Sequence, residues 1–166
     1  MNNNSITGQL GELLRSRGLL MGTAESCTGG RIANMITLVA GSSDYFVGGI
    51  VSYSNEVKRN VLGVSEESLR LHGAVSREVV EQMALGAIRT LGCNCSVATS
   101  GVAGPGGGTP EKPVGTVWIA AALKDRVVSH CYHFGTVRAE NIQSAADAAL
   151  TMLLELLLSD CCSPKQ

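Results

Sequence analysis

The sequence predicts an α/β fold, a three-layer α/β/α domain built on a mixed sheet of about five strands. Three observations carry the prediction. Short apolar runs of strand length alternate with longer segments whose apolar residues recur every three or four positions. Gly18, Gly63 and Gly92 stand where helical patterns stop, and Ser65 and Ser76 stand where new ones start. Finally, 45% of the 166 residues are hydrophobic and 16% charged. That is enough to cover both faces of a sheet, and a chain of this length buries about 70% of its unfolded surface.

Ile6, Leu10, Leu13 and Leu14 share one face, which predicts an amphipathic first helix ending near Gly18. Leu19-Leu20-Met21 opens a short buried strand over 19–24, and Ile32, Met35 and Ile36 mark a helix to about Leu38. Residues 40–44 read as a loop. The apolar run over 45–53 contains Gly48 and Gly49, the mark of a strand with a bulge or a close backbone approach. Ser54 to Lys58 leads into a short helix that stops near Gly63. Ser65, followed by Glu66 and Glu67, opens another, because an N-cap with an acidic first turn suits the helix dipole. Ser76 caps a longer helix with Val79, Val80, Met83, Ala87, Ile88 and Leu91 on one face. A strand over 95–100 runs into a glycine-rich loop. Residues 115–123 and 127–134 read as neighbouring strands joined by Lys124-Asp125-Arg126, and a closing helix runs from 139 to about 158. The predicted order is α-β-α-β-α-α-α-β-β-β-α in one domain over 1–166, with its core over about 6–158 and a polar tail over 159–166.

A net charge of −1 without a Lys/Arg run argues against nucleic acid or an anionic membrane as the main partner. Met1-Asn2-Asn3-Asn4 does not read as a signal peptide, and no apolar run approaches the ~20 residues that span a bilayer. The expectation is a soluble, cytoplasmic protein. None of the six cysteines forms a C-x-x-C pair, so Cys93, Cys95 and Cys131 read as free thiols and Cys161 and Cys162 as exposed ones in the tail. His130 and His133 fall on opposite faces of a strand, a poor metal pair, and neither metal nor cofactor is expected. Leu153, Leu154, Leu156 and Leu157 run almost around the last helix, which predicts a buried or shared face and hence a homodimer or higher oligomer.

Two stretches suggest chemistry. In Thr23-Ala24-Glu25-Ser26-Cys27-Thr28-Gly29-Gly30, Ser26 falls at the turn from a strand into a helix. There a hydroxyl can stand clear of the sheet beside unpaired helix N–H groups, and Gly29 and Gly30 let a substrate oxygen approach closely. Taken alone, the stretch reads more simply as Ser26 or Thr28 capping the helix. Cys27 is a second nucleophile candidate, since a helix N-terminus lowers a thiol pKa. Glu25 could orient a base or a substrate amide. The second stretch holds five glycines between 101 and 108, Gly101 and Gly104 among them, directly after a strand. It is neither a Walker loop nor a dinucleotide fingerprint, and it reads as an anion-binding set of N–H groups or as a floppy loop. Pro105, Pro110 and Pro113 favour a shaped loop. Tyr53 and Lys58 fall at a strand end and a helix start. A desolvated lysine near a hydroxyl can serve as its base, giving a Ser-Lys or Ser-Tyr-Lys site without histidine. Arg138 opens the last helix, where a guanidinium can hold a phosphate.

These stretches together resemble the CinA C-terminal domain family of nicotinamide-nucleotide amidohydrolases. The matching text is Ala24 to Gly30, Gly48 to Lys58, Gly73-Ala74-Val75-Ser76, and Ser100 to Gly115, in register from about residue 6 to 158. The resemblance is to the stand-alone form, without the extra N-terminal domain of larger CinA proteins. It implies hydrolysis of the carboxamide of nicotinamide mononucleotide to nicotinate mononucleotide and ammonia, in pyridine-nucleotide (NAD) recycling. It places the nucleophile on Ser26 and the activating groups on Tyr53 and Lys58, with the oxyanion held by N–H groups at Thr28, Gly29 and Gly30. Ser43, Ser100 and Arg138 are its candidate nucleotide ligands, against the 100–109 loop with its Gly101 and Gly104. Two positions depart from the family pattern. Ser100 replaces a threonine, and Gly135-Thr136-Val137-Arg138 with Ile142 replaces a Gly-Asp-Arg start followed by a second arginine. The other readings are a catalytically silent nucleotide- or partner-binding domain, or an amidohydrolase for another small amide.

Overall fold

Side chains that the sequence supplies at each boundary set the helix limits. Ser5, Ser54, Ser65 and Ser76 each accept a hydrogen bond from the N–H three residues on, and so satisfy an orphan donor of the first turn. Gly18, Gly63 and Gly92 close helices in the left-handed conformation, with φ of 60°, 71° and 65°. The computed structural model describes residues 5–160. Its elements are α1 (Ile6–Arg17), β1 (Met21–Glu25), α2 (Arg31–Thr37), a 3-10 turn (Ser42–Asp44), β2 (Phe46–Val51) and α3 (Asn55–Leu62). There follow α4 (Glu66–His72), α5 (Arg77–Leu91), β3 (Cys95–Gly101), β4 (Thr116–Leu123), β5 (Arg126–His133) and α6 (Arg138–Asp160). The order is the one the sequence predicts. Of the tail expected over 159–166, Ser159 and Asp160 still belong to α6, and residues 161–166, with Cys161 and Cys162, lie outside the described residues.

The five strands form one mixed sheet in the order β2-β1-β3-β4-β5. β1 pairs in parallel with both β2 and β3, while β4 and β5 continue antiparallel through a two-residue turn. β2 carries the expected bulge: Met21 faces Phe46 but Gly22 faces Gly48, leaving Val47 as the extra residue. Gly49 is also a close approach, since a Cβ there would press on Thr23 Oγ1.

Alternation along the strands divides the core in two. Val97, Ile119, Ala121 and Leu123 pack with α1, α2 and α6, whereas Ala98, Ala120 and Ala122 pack beneath α3 and α5. Small residues on the second face let α5 lie close to the sheet.

The last helix needs a correction. Leu153, Leu156 and Leu157 are buried within the chain's own core and Leu154 is half-buried, so they give no argument for a second copy. The sheet and α1 cover more of this helix than its own residue pattern can reveal. α6 also has the length and apolarity of a membrane-spanning helix, with a mean hydropathy of 1.3 over 18 residues, which reading by uninterrupted runs does not register. In this fold it is a core helix.

From β1 the chain passes through α2 to β2 on one side. It then returns through α3, α4 and α5 to β3 on the other side, over the opposite face. This reversal opens a crevice at the carboxyl ends of β1 and β3, where open α/β sheets place their ligands. Helix α3 is set against α5 at Gly86, where any Cβ would overlap the Leu62 carbonyl. Gly86→Ala is therefore expected to cost about 1–3 kcal/mol in urea unfolding, because backbone must move to admit the methyl. Gly106→Ala, whose Cβ meets nothing within 4 Å, is expected to stay within about 0.5 kcal/mol of the parent.

Candidate active site

Ser26 is the first residue after β1. Its N–H donates to the Thr99 carbonyl (3.0 Å), which hangs the turn on the neighbouring strand, and its own carbonyl accepts from Gly29 N–H (3.1 Å). Lys58 comes from the first turn of α3 and is 1% exposed. Its Nζ lies 2.9 Å from Ser26 Oγ, donates to the Ser52 carbonyl at 2.7 Å, and stands 3.5 Å from the Tyr53 carbonyl. Burial pulls the Lys58 pKa below the ordinary lysine value, because the cation loses its water. Among the described residues no carboxylate forms an ion pair with it.

Glu25, the last residue of β1, is 1% exposed and accepts four hydrogen bonds. Thr28 Oγ1 (2.7 Å), Gly30 N–H (3.1 Å) and Ile32 N–H (3.0 Å) donate to Oε2, and Ala33 N–H (2.9 Å) donates to Oε1. Neither Ser26 nor Thr28 caps α2. Its N-cap is Gly30, with φ of 96° and no side chain to offer, and the capping is done from upstream by Glu25.

This geometry corrects several expectations. The N–H groups of Gly29 and Gly30 are already committed, so they are not free for an oxyanion, and Thr28, Gly29 and Gly30 do not line the cavity. Cys27 does line it, but burial pushes its thiol up to about 11. The lowering expected at a helix start fails because the side chain is desolvated and a carboxylate already occupies that helix end. Tyr53 lines the cavity, but its phenol makes no hydrogen bond to Ser26 or Lys58 among the described residues. It is 62% exposed and accepts from Arg138 Nη2 at 3.0 Å, and it is the Tyr53 backbone that faces Lys58. Ser43 is exposed in the turn before β2. Because β2 runs parallel to β1, that turn lies at the far end of the sheet, about 20 Å from Ser26.

The cavity between these elements measures about 300 Å³. Ser26, Cys27 and Lys58 form one wall, and Ser100, Gly101 and the following loop form another. The loop is held rather than floppy. Arg138 Nη1 donates to the Gly104 carbonyl (2.7 Å), Asn141 Nδ2 donates to the Ala103 carbonyl (3.0 Å), and Ser100 Oγ donates to the Ala74 carbonyl (2.7 Å). The N–H groups of Ala103, Gly104, Gly106 and Gly107 find no acceptor among the described residues, and all four residues line the cavity. The same holds for the Cys27 N–H. Asn55, Ala74 and Val75 line the cavity from within the matched motifs, although the sequence assigned them no role, and Asn141 lies outside those motifs. Asn55 lies within the matched motif, but an exposed helix-start asparagine gives no sign of what it faces. A larger depression, about 490 Å³ between β5 and α6, is lined by Val128, Tyr132, Met152 and Leu156 and holds none of the candidate residues.

Comparison with known proteins adds to this picture. The model of the CinA C-terminal domain matches residues 3–157. A nicotinamide-nucleotide amidohydrolase PncC from Enterobacter agglomerans is 46% identical over 156 residues, covering 93% of this chain and 95% of that protein. The protein of that name from Escherichia coli K12 is 53% identical over 117 residues, 70% of this chain and 71% of the relative. A CinA-like protein from Chloroherpeton thalassium is 49% identical over 89% of this chain. The chain spans between 33% and 39% of the length of the CinA-like relatives. A crystal structure of a CinA superfamily protein from Klebsiella pneumoniae superposes with a TM-score of 0.90 at 34% identity, covering 96% of this chain and 99% of that one. The competence/damage inducible protein CihA of Agrobacterium tumefaciens gives a TM-score of 0.85 at 42% identity, covering 92% and 96%. The chain belongs to the CinA C-terminal domain family.

Proposed function

We propose that this protein is a nicotinamide-nucleotide amidohydrolase. It hydrolyses the carboxamide of nicotinamide mononucleotide to nicotinate mononucleotide and ammonia, and it serves pyridine-nucleotide recycling in the cytoplasm. The observation that carries the reading is the buried pair of Ser26 Oγ and Lys58 Nζ, 2.9 Å apart in an open cavity. Its substrate is suggested by the two PncC relatives, which this chain matches over most of their length.

A neutral amine has two hydrogens and one lone pair. The Ser52 and Tyr53 carbonyls are placed to take the hydrogens, which leaves the lone pair for the Ser26 hydroxyl. Lys58 accepts the Ser26 proton as Oγ attacks the carboxamide carbon. The developing oxyanion is met by a free N–H, for which Cys27, the residue after the nucleophile, is the nearest candidate in sequence. The C–N bond then breaks, and ammonia leaves with the proton returned by Lys58. Water attacks the resulting ester and gives a proton to Lys58. The C–O bond breaks, Ser26 regains its proton from Lys58, and the acid product leaves as the carboxylate, its remaining proton passing to solvent water. The free N–H groups of the 103–107 loop, beside the Arg138 guanidinium, suit the anionic nucleotide portion. Burial of the Cys27 thiol, held protonated at neutral pH, favours the serine as nucleophile.

Ser26→Ala and Lys58→Ala, checked for folding by circular dichroism, are expected to lose ammonia release from nicotinamide mononucleotide by about 10³-fold or more. Folded wild type without turnover would exclude this substrate. Activity requires Lys58 unprotonated, so kcat/KM should fall as pH drops through its pKa. Because burial lowers that pKa, the midpoint is expected below the ordinary lysine range. A midpoint at the value of a solvated lysine would contradict a buried base. Arg138→Ala is expected to raise KM more than it lowers kcat, as steady-state kinetics will read, because its contact is to the bound portion away from the reacting carbon.

A further inference from the structure

The Ser26 turn is held by a group that takes no part in the proton transfers. We propose that Glu25 is the positioning residue of this site, its carboxylate fixing the turn that presents Ser26 to Lys58. The inference rests on Ser26 being the nucleophile and not on the identity of the amide.

Three of the four donors to Glu25 are backbone N–H groups, at residues 30, 32 and 33, and no other acceptor serves them among the described residues. They belong to the opening of α2, whose N-cap is a glycine with no side-chain oxygen. Without Glu25, one helix end would face the interior with its donors empty. The fourth donor ties the turn to the next strand. Thr28 has a single hydroxyl proton, and it is spent on Glu25. The 2.8 Å contact between the Thr28 and Thr99 hydroxyls must then be donated by Thr99. The carbonyl of that same Thr99 receives the Ser26 N–H. Glu25, Thr28, Thr99 and Ser26 thus form a closed set of contacts around the turn, joining the ends of β1 and β3 to the start of α2. A glutamine at 25 keeps the shape, but its amide NH₂ must replace one acceptor oxygen. In either orientation it faces a backbone N–H, since Ala33 donates to one oxygen while Gly30 and Ile32 donate to the other.

The test uses Glu25→Gln and Thr28→Val, with two readouts besides ammonia release from nicotinamide mononucleotide. One is the rate at which Ser26 is labelled by an alkyl fluorophosphonate, in which Oγ bonds to phosphorus, fluoride leaves and the proton passes to Lys58. Peptide mapping locates the label. The other is thermal melting, so that rates are compared well below each midpoint. Glu25→Gln is expected to slow labelling and lower kcat by about 100-fold, as for a displacement of about 1 Å. KM should stay within about threefold, because the cavity walls that bind substrate are elsewhere. Thr28→Val, which removes one donor and leaves the charge, is expected to slow labelling by about tenfold. Wild-type labelling rate in folded Glu25→Gln overturns the proposal. If Glu25→Gln does not fold, Thr28→Val decides: slowed labelling supports positioning, and an unchanged rate overturns it. Wild type that labels at Ser26 yet releases no ammonia excludes the substrate while leaving the Glu25 comparison intact. Wild type that does not label at Ser26 overturns the nucleophile assignment, and this inference with it.

Discussion

The site depends on one costly arrangement, a lysine amine buried against a serine hydroxyl with no carboxylate among the described residues to pair with it. Removing an ammonium from water without a counter-charge is expensive, and the protein relieves that expense by favouring the neutral amine. In the proposed mechanism the neutral form is the one that takes the Ser26 proton. The rest of the fold maintains the arrangement. The end of β2 delivers the Ser52 carbonyl to Nζ, Gly86 lets α3 come close enough to α5 to carry Lys58 inward, and the β1–α2 turn supplies the hydroxyl. Loosening any of these supports would admit water, and a hydrated Lys58 would be an ordinary cation.

The chain path explains why these parts meet. Ser26 and Lys58 are 32 residues apart in sequence; Ser26 lies in the turn that leads to α2 and Lys58 lies in α3, two helices on opposite faces of the sheet. They converge because the strand order reverses at β1, so that loops from both faces open on one crevice. The glycine-rich loop leaves β3 at that point. Asn141 and Arg138 at the start of α6 hold it, and they leave a row of its N–H groups free toward the cavity. Arg138 does two things at once, since its other nitrogen holds the Tyr53 phenol across the cavity mouth. A bound anion would compete for the same guanidinium.

Much of the fold was legible because local chemistry decides it. Serine caps, left-handed glycines and the bulge at Val47 are each governed by a few adjacent residues. Ser26 and Lys58 were legible as types at telling positions, and their motif resemblance put them in one register. Properties that depend on surroundings were not legible. Cys27 sits at a helix start, but its burial and the occupied helix end reverse the expected pKa shift. Ser43 is a polar residue beside a strand, and only the parallel pairing of β2 with β1 tells which end of the sheet it occupies. The leucines of α6 look excessive for one buried face until the sheet and α1 both claim them. Glu25 reads as an orienting group in the sequence, yet what it orients is the Thr28 hydroxyl and backbone five to eight residues away.

The central claim is that chemistry passes through a covalent ester on Ser26. Acid-quenching the enzyme during turnover of nicotinamide mononucleotide, then digesting and weighing its peptides, tests this most directly. The account predicts a nicotinoyl-nucleotide adduct on the peptide containing Ser26, localised to that side chain and absent from Ser26→Ala. An adduct on Cys27, or turnover that survives Ser26→Ala, would contradict it.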